Sequence, residues 1–141
     1  DIGSGGSGPG ELDEPSGLAI HSDGRLFVAD TWNRRIAVFD VSGAHIMNFR
    51  VRGWYNTTFN RPYLALDEAS DILYVSDPDG RRILVYSTGG DCIGSFAEEG
   101  ENGALGQFTD IGGIAVDEAG FVYVSDSNTG DVFKFAPFPR V

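Results

Sequence analysis

Three stretches of this 141-residue chain say the same thing in the same order. Gly17-Leu18-Ala19-Ile20, Tyr63-Leu64-Ala65-Leu66 and Gly113-Ile114-Ala115-Val116 form a first element. Leu26-Phe27-Val28-Ala29-Asp30, Leu73-Tyr74-Val75-Ser76-Asp77 and Val122-Tyr123-Val124-Ser125-Asp126 form a second. Arg35-Ile36-Ala37-Val38-Phe39, Arg82-Ile83-Leu84-Val85-Tyr86 and Asp131-Val132-Phe133-Lys134-Phe135 form a third. The aspartates closing the second element give a period of 47 and then 49 residues.

Gly, Asp, Ser and Pro interrupt the chain every few residues and no 3.6-residue apolar period runs through it, so the fold class is all-β. A period of about 40–50 built from short apolar strands is the mark of β-propeller blades. Each repeat divides into strands A to D, at about 17–21, 25–30, 35–40 and 44–50 in the first and 63–67, 72–77, 82–87 and 91–96 in the second. In the third, A, B and C fall at about 113–117, 121–126 and 131–136. Ser22-Asp23-Gly24, Ser42-Gly43, Gly89-Gly90 and Glu118-Ala119-Gly120 supply tight turns between them. Strands apolar at nearly every position fit blades packed on both faces, with Ala19, Ala65 and Ala115 at the crowded inner strand.

The blades span about 11–52, 58–97 and 106–136, with an N-terminal strand over 1–4. The third has no strand D, because Pro137 and Pro139 make a poor ladder. Asp1-Ile2-Gly3-Ser4 resembles Asp91-Cys92-Ile93-Gly94-Ser95, so the chain reads as opening on the end of a strand D. Rings need about four to eight blades. Three blades are half a propeller, and two chains would make a six-bladed homodimeric ring, each N-terminal strand finishing the other chain's last blade. The competing expectation is a C-terminal piece of a larger propeller-containing protein whose other blades lie upstream.

A formal net charge of −11 argues against a nucleic-acid partner, which is held mainly by Lys and Arg, and against direct contact with an anionic membrane. No apolar run approaches the roughly 18 residues of a membrane helix. Cys92 is the only cysteine and reads as a small buried hydrophobe.

The run Leu12-x-x-Pro15-x-Gly17-Leu18-Ala19-Ile20, followed by Asp23-Gly24-x-Leu26-Phe27-Val28-Ala29-Asp30-Thr31-x-Asn33-x-Arg35-Ile36-x-Val38-Phe39-Asp40, resembles an NHL repeat. The second copy departs at Pro78-Asp79-Gly80, and the third has Asp131 where the arginine belongs. The resemblance implies a propeller, commonly of six blades, serving as a binding platform for proteins, for RNA in some tripartite-motif proteins, or as an extracytoplasmic module in bacteria. The last use tilts the expected location toward the bacterial exterior.

The B-to-C turns and the D-to-A connections emerge on one face of such a blade. They carry the candidate binding residues Trp32, Asn33, Arg34, Trp54, Tyr55, Arg81 and Asn128, of the types that make hot spots. The plainer reading is that Trp32 covers a neighbouring blade and Trp54 fills a seam. Asp30, Asp77 and Asp126 suit carboxylates that accept backbone N–H groups before a turn. His21, Asp67 and Asp117 share the opposite mouth, where a cation is the weaker reading and no cofactor is expected. His45 reads as solvated at the rim.

Catalysis finds little to stand on: there is no Gly-x-Ser-x-Gly elbow or His-Glu-x-x-His pair. Gly3–Gly10 lacks the lysine and helix of a phosphate loop. The NHL-like lyase of amidating enzymes needs several histidines, and this chain has two. A metal-dependent lactonase or hydrolase propeller stays as the enzymatic alternative. Asn56-Thr57-Thr58 fits a glycosylation acceptor, and Glu98, Glu99 and Glu101 read as a solvated loop.

Overall fold

The computed structural model describes residues 1–54, 61–97 and 108–139. Tyr55, the Asn56-Thr57-Thr58 acceptor and the Glu98–Glu101 run lie outside them. The chain forms two compact units, Asp1–Tyr63 and Leu64–Val141.

In the first unit β1 (Ser4–Gly5) runs parallel to β2 (Glu11–Leu12). A four-stranded antiparallel meander follows: β3 (Pro15–Ile20), β4 (Leu26–Asp30), β5 (Arg35–Phe39) and β6 (His45–Arg50). The strand expected over 1–4 is thus a two-residue strand paired with Glu11–Leu12. Alternation along β4 and β5 sends Val28, Ala37 and Phe39 to one face, where Leu12 and Leu26 cover them. Phe27, Ala29, Ile36 and Val38, of opposite parity, are buried as well. Burial on both faces explains why these strands carry polar residues only at one end, Asp30 closing β4 and Arg35 opening β5.

The second unit holds two sheets. One is β7 (Leu64–Asp67), β8 (Ile72–Asp77), β9 (Arg82–Ser87) and β10 (Cys92–Phe96); the other is β11 (Ile111–Val116), β12 (Val122–Asp126) and β13 (Val132–Phe135). Among the described residues the third sheet has three strands. A shared core joins the sheets: Ala65, Tyr74, Ile83 and Val85 meet Ile111, Val122 and Val124, with Phe108, Phe133 and Phe135 packed in. Phe108 stacks edge-on against Phe133 and Phe135, with centroids 5.5 and 5.9 Å away. Each large side chain so buried contributes about 1.5–3 kcal/mol.

After β13 the chain leaves the sheet and returns across β10. The Phe138 N–H donates to the Tyr74 hydroxyl at 3.2 Å, and its ring covers Gly94. Pro137 meanwhile lies against Gly120. The prolines end the strand, as their missing N–H groups require, and the segment becomes a clasp between the two sheets.

Two side chains differ from the sequence reading. Cys92 is exposed, because it opens the outermost strand of its sheet, where one face meets solvent. His45 is half-buried: its ring stands edge-on to Phe39 at 5.7 Å and shares a hydrogen bond with Asn48.

Candidate functional site

The turn after each second strand is organised by its aspartate, and each of the three does so differently. Asp30 is fully buried. Its Oδ1 accepts the Asp13 N–H at 2.6 Å, and its Oδ2 accepts Asn33 Nδ2 at 2.9 Å and Arg35 Nε at 2.7 Å. Arg35 then extends its remaining nitrogens to the glycine-rich stretch, donating to the carbonyls of Ser7 (3.1 Å), Gly8 (2.9 Å) and Glu11 (3.0 Å). Asn33 adds a bond to the Gly6 carbonyl at 2.9 Å, and Glu11 accepts the Gly8 N–H at 2.7 Å. The stretch therefore turns its carbonyls toward a cation, the reverse of the N–H groups a phosphate loop offers. Gly6 permits the fold at φ 145, with Glu11 where a side chain would go.

In the second sheet Asp77 keeps the arginine, accepting Arg82 Nε at 2.8 Å, and takes one turn N–H, from Gly80 at 3.2 Å. Burial pushes its carboxyl above the ordinary range, against the pull of Arg82 and Gly80. In the third sheet Asp131 stands in the arginine's place. Asp126 instead accepts the N–H groups of Thr109 (2.7 Å), Asn128 (3.0 Å) and Thr129 (3.2 Å), and the Thr109 hydroxyl. Burial alone would raise Asp126, but these donors outweigh it and hold the carboxyl at about 2.

The sign of the pH dependence follows. A carboxylate lowered from 3.8 to about 2 contributes stability that is complete above the unfolded value and lost as pH falls toward 2. Its size is about 2 kcal/mol. Asp77 works in the opposite sense, favouring the folded state more when protonated. In urea titrations from pH 2 to 7, the gap between the parent and Asp126→Asn is widest above pH 5 and closes toward pH 2. A gap unchanged across that range would refute this account.

The candidate binding residues divide on inspection. Trp32, Asn33 and Arg34 share the β4–β5 turn. Trp32 is half-buried with its backbone N–H on the Asp13 carbonyl, and Asn33 is committed to Gly6 and Asp30. Arg34 is exposed. Trp54 is 3% exposed, filling the interior of its unit. In the second unit Arg81 and Asn128 are exposed on the equivalent turns, Asn128 reaching Thr109 Oγ1 at 3.3 Å. Arg34 and Arg81 both sit at positive φ (57 and 51), where the third turn has Gly130 at 82. The arginines thus keep a backbone setting that favours glycine, projecting cations from the turn.

Each polar group expected at the opposite mouth is engaged close to its own turn. His21 Nδ1 accepts the Asp23 N–H, Asp67 accepts that of Ser70, and Asp117 accepts those of Ala119 and Phe121 and the Tyr123 hydroxyl. Among the described residues no group of three or more His, Cys, Asp or Glu side chains is placed to hold a metal ion. Sequence reasoning missed the clamp of Arg35 and Glu11 on the glycine stretch. Its signal was the arginine five residues beyond the aspartate.

The pattern of the NHL repeat family matches residues 12–39, the stretch that carries the Asp30–Arg35 clamp. Residues 12–39 form an NHL repeat. Among curated relatives it is similar to Teneurin-3 of Danio rerio, 34% identical over 79% of this chain but only 5% of that protein. Among solved structures it is similar to the glutaminyl cyclase of Myxococcus xanthus, with a TM-score of 0.61 at 18% identity. A chain of a nidogen/laminin complex matches with a TM-score of 0.58 at 19% identity. The matches cover 86% and 85% of the NHL chain, and 54% and 42% of the solved ones. At these identities the likeness is one of fold, and that fold is the β-propeller.

Proposed function

We propose that this NHL chain is a non-catalytic interaction module that works as half of a six-bladed ring, completed by a second copy of itself. The observation that carries the reading is one of proportion. Three consecutive blade sheets match about half of the propeller chains they resemble, 54% of one and 42% of the other. Two such halves supply the six blades that a ring of this family commonly holds.

The chemistry of the turns supports binding over catalysis. Asp30, Asp77 and Asp126 are spent on holding backbone and arginine groups in place, and Asn33 with them. Arg34, Arg81 and Asn128, exposed on these turns, are hydrogen-bonding and cationic side chains suited to a protein surface. The nidogen/laminin chain, part of a protein complex by its own description, fits the same use.

Solution mass by size-exclusion chromatography with light scattering tests the assembly. The expected value is twice the 15.1 kDa chain mass. A monomer at every concentration up to about 100 μM, well above the micromolar range of ordinary specific contacts, would end the two-copy reading and leave the remaining blades to another polypeptide segment.

A further inference from the structure

The guanidinium that clamps the glycine-rich stretch belongs to a closed hydrogen-bond network, and a histidine closes it. Arg35 has five N–H groups to place. Nε donates to Asp30, and Nη2 donates to the carbonyls of Gly8 and Glu11. Nη1 donates to the Ser7 carbonyl at 3.1 Å and to the Asn48 side-chain oxygen at 3.3 Å. The neighbours of the Asn48 amide fix which way it points. One end faces two acceptors, the Met47 carbonyl at 3.2 Å and His45 Nε2 at 2.9 Å, so it is the NH2 group. The other end faces Arg35 and is the oxygen. Every donor of the guanidinium and of the amide thus has an acceptor, and the last acceptor in the line is the unprotonated Nε2 of His45. The ring is held there, edge-on to Phe39 at 5.7 Å and against Gly10.

A proton on Nε2 leaves no arrangement that satisfies the network. If the amide keeps its orientation, two N–H groups confront each other across 2.9 Å. If it turns over, its oxygen accepts from the imidazolium but opposes the Met47 carbonyl, and its NH2 group opposes Arg35 Nη1. The guanidinium is a rigid fork, so displacing Nη1 also disturbs the bonds that Nη2 makes to Gly8 and Glu11. Other charged groups on the surrounding strands are engaged elsewhere or open to solvent. Asp30 of β4 is bound to Arg35, Glu11 of β2 to the Gly8 N–H, and Asp40 after β5 to its own turn at Ser42 and Ala44. Arg50 of β6 is exposed. We infer that His45 is an acid-sensitive latch on the glycine-rich stretch: neutral, it completes the Arg35 network, and protonated, it sets Asn48 against Arg35 and loosens residues 6–11. The sign follows from the acceptor role. The latch contributes fully where the ring is neutral and is lost as pH falls through about 8 to 5, where a histidine gains its charge.

Amide hydrogen exchange of the full chain, followed by NMR and corrected for the intrinsic effect of pH, tests the latch. The N–H groups of Gly6 and Glu11, bonded to the Leu12 and Gly8 carbonyls, report on the stretch. In the parent their protection is expected to fall about fivefold or more from about pH 7.5 to about pH 5, as the open population rises. In His45→Gln, which keeps a neutral acceptor, the change over the same interval is expected to stay under about twofold. Asn48→Ala cuts the line between ring and guanidinium. It is expected to lower protection at both pH values and to leave no pH dependence, a result that a packing role for His45 would not give. Equal protection of the parent at the two pH values overturns the inference. So does a fall in His45→Gln as large as the parent's, or a pH dependence that persists in Asn48→Ala, since either assigns the response to another group. Should His45→Gln lose its β-sheet circular dichroism, His45→Phe takes its place and is judged on pH dependence alone.

Discussion

Asp30→Ala lowers the unfolding free energy of the first unit by about 3–5 kcal/mol, the cost of stranding one partner of a buried ion pair. Four groups lose their acceptor or its support together. The Asp13 N–H and Asn33 amide lose a bond, and the Arg35 guanidinium loses its counter-charge. The glycine stretch loses the arginine orientation that holds Ser7, Gly8 and Glu11. Asp30→Asn keeps an acceptor for Asp13 and costs less, about 1–2 kcal/mol. Both tryptophans, Trp32 and Trp54, belong to residues 1–63. Tryptophan emission in a urea titration therefore reports this unit. A loss under 1 kcal/mol in Asp30→Ala would show that the clamp decorates the fold and does not hold it.

Phe138→Ala removes the clasp of the second unit and lowers its stability by about 2–3 kcal/mol, below the usual range for a fully buried phenylalanine because the ring is half-buried. Gly94→Val attacks the same contact from the other side. A Cβ at Gly94 would stand 2.5 Å from Phe138 Cζ, so the ring must leave its seat. The two changes are expected to be strongly non-additive, since either alone undoes one contact. Far-UV circular dichroism during thermal unfolding of Phe138→Ala, Gly94→Val and the double variant measures this. Fully additive losses would mean that Phe138 and Gly94 act separately.

The strands were legible because their physics is local and repeated. Phe27, Tyr74 and Tyr123 recur at one position, an apolar run is unbroken from Ile72 to Val75, and turn residues mark the strand ends. The role of Asp30, Asp77 and Asp126 could be read in outline, since a carboxylate before a tight turn has backbone donors within reach. Their differences could not. Asp77 and Asp126 occupy one repeat position, yet burial wins at the first and several donors win at the second. That balance depends on Thr109, which lies 17 residues away. The Phe138 clasp was illegible for a related reason: prolines announce the end of a strand and say nothing of where the chain goes next. Cys92 and His45 were misread because composition suggests an average environment, while place in the sheet sets the real one. Trp54, a candidate for the binding surface, lies in the core.

The open thiol of Cys92 gives this chain a chemistry that its acidic, largely unreactive surface otherwise lacks. Stored in air, two chains can be joined there by oxidation, and the product would imitate an assembled pair on a non-reducing gel. Masses are meaningful only under reductant. Turned to use, the same sulfur accepts one nitroxide per chain, so a two-fold ring yields a single inter-spin distance, and an unsymmetrical aggregate yields a broad spread.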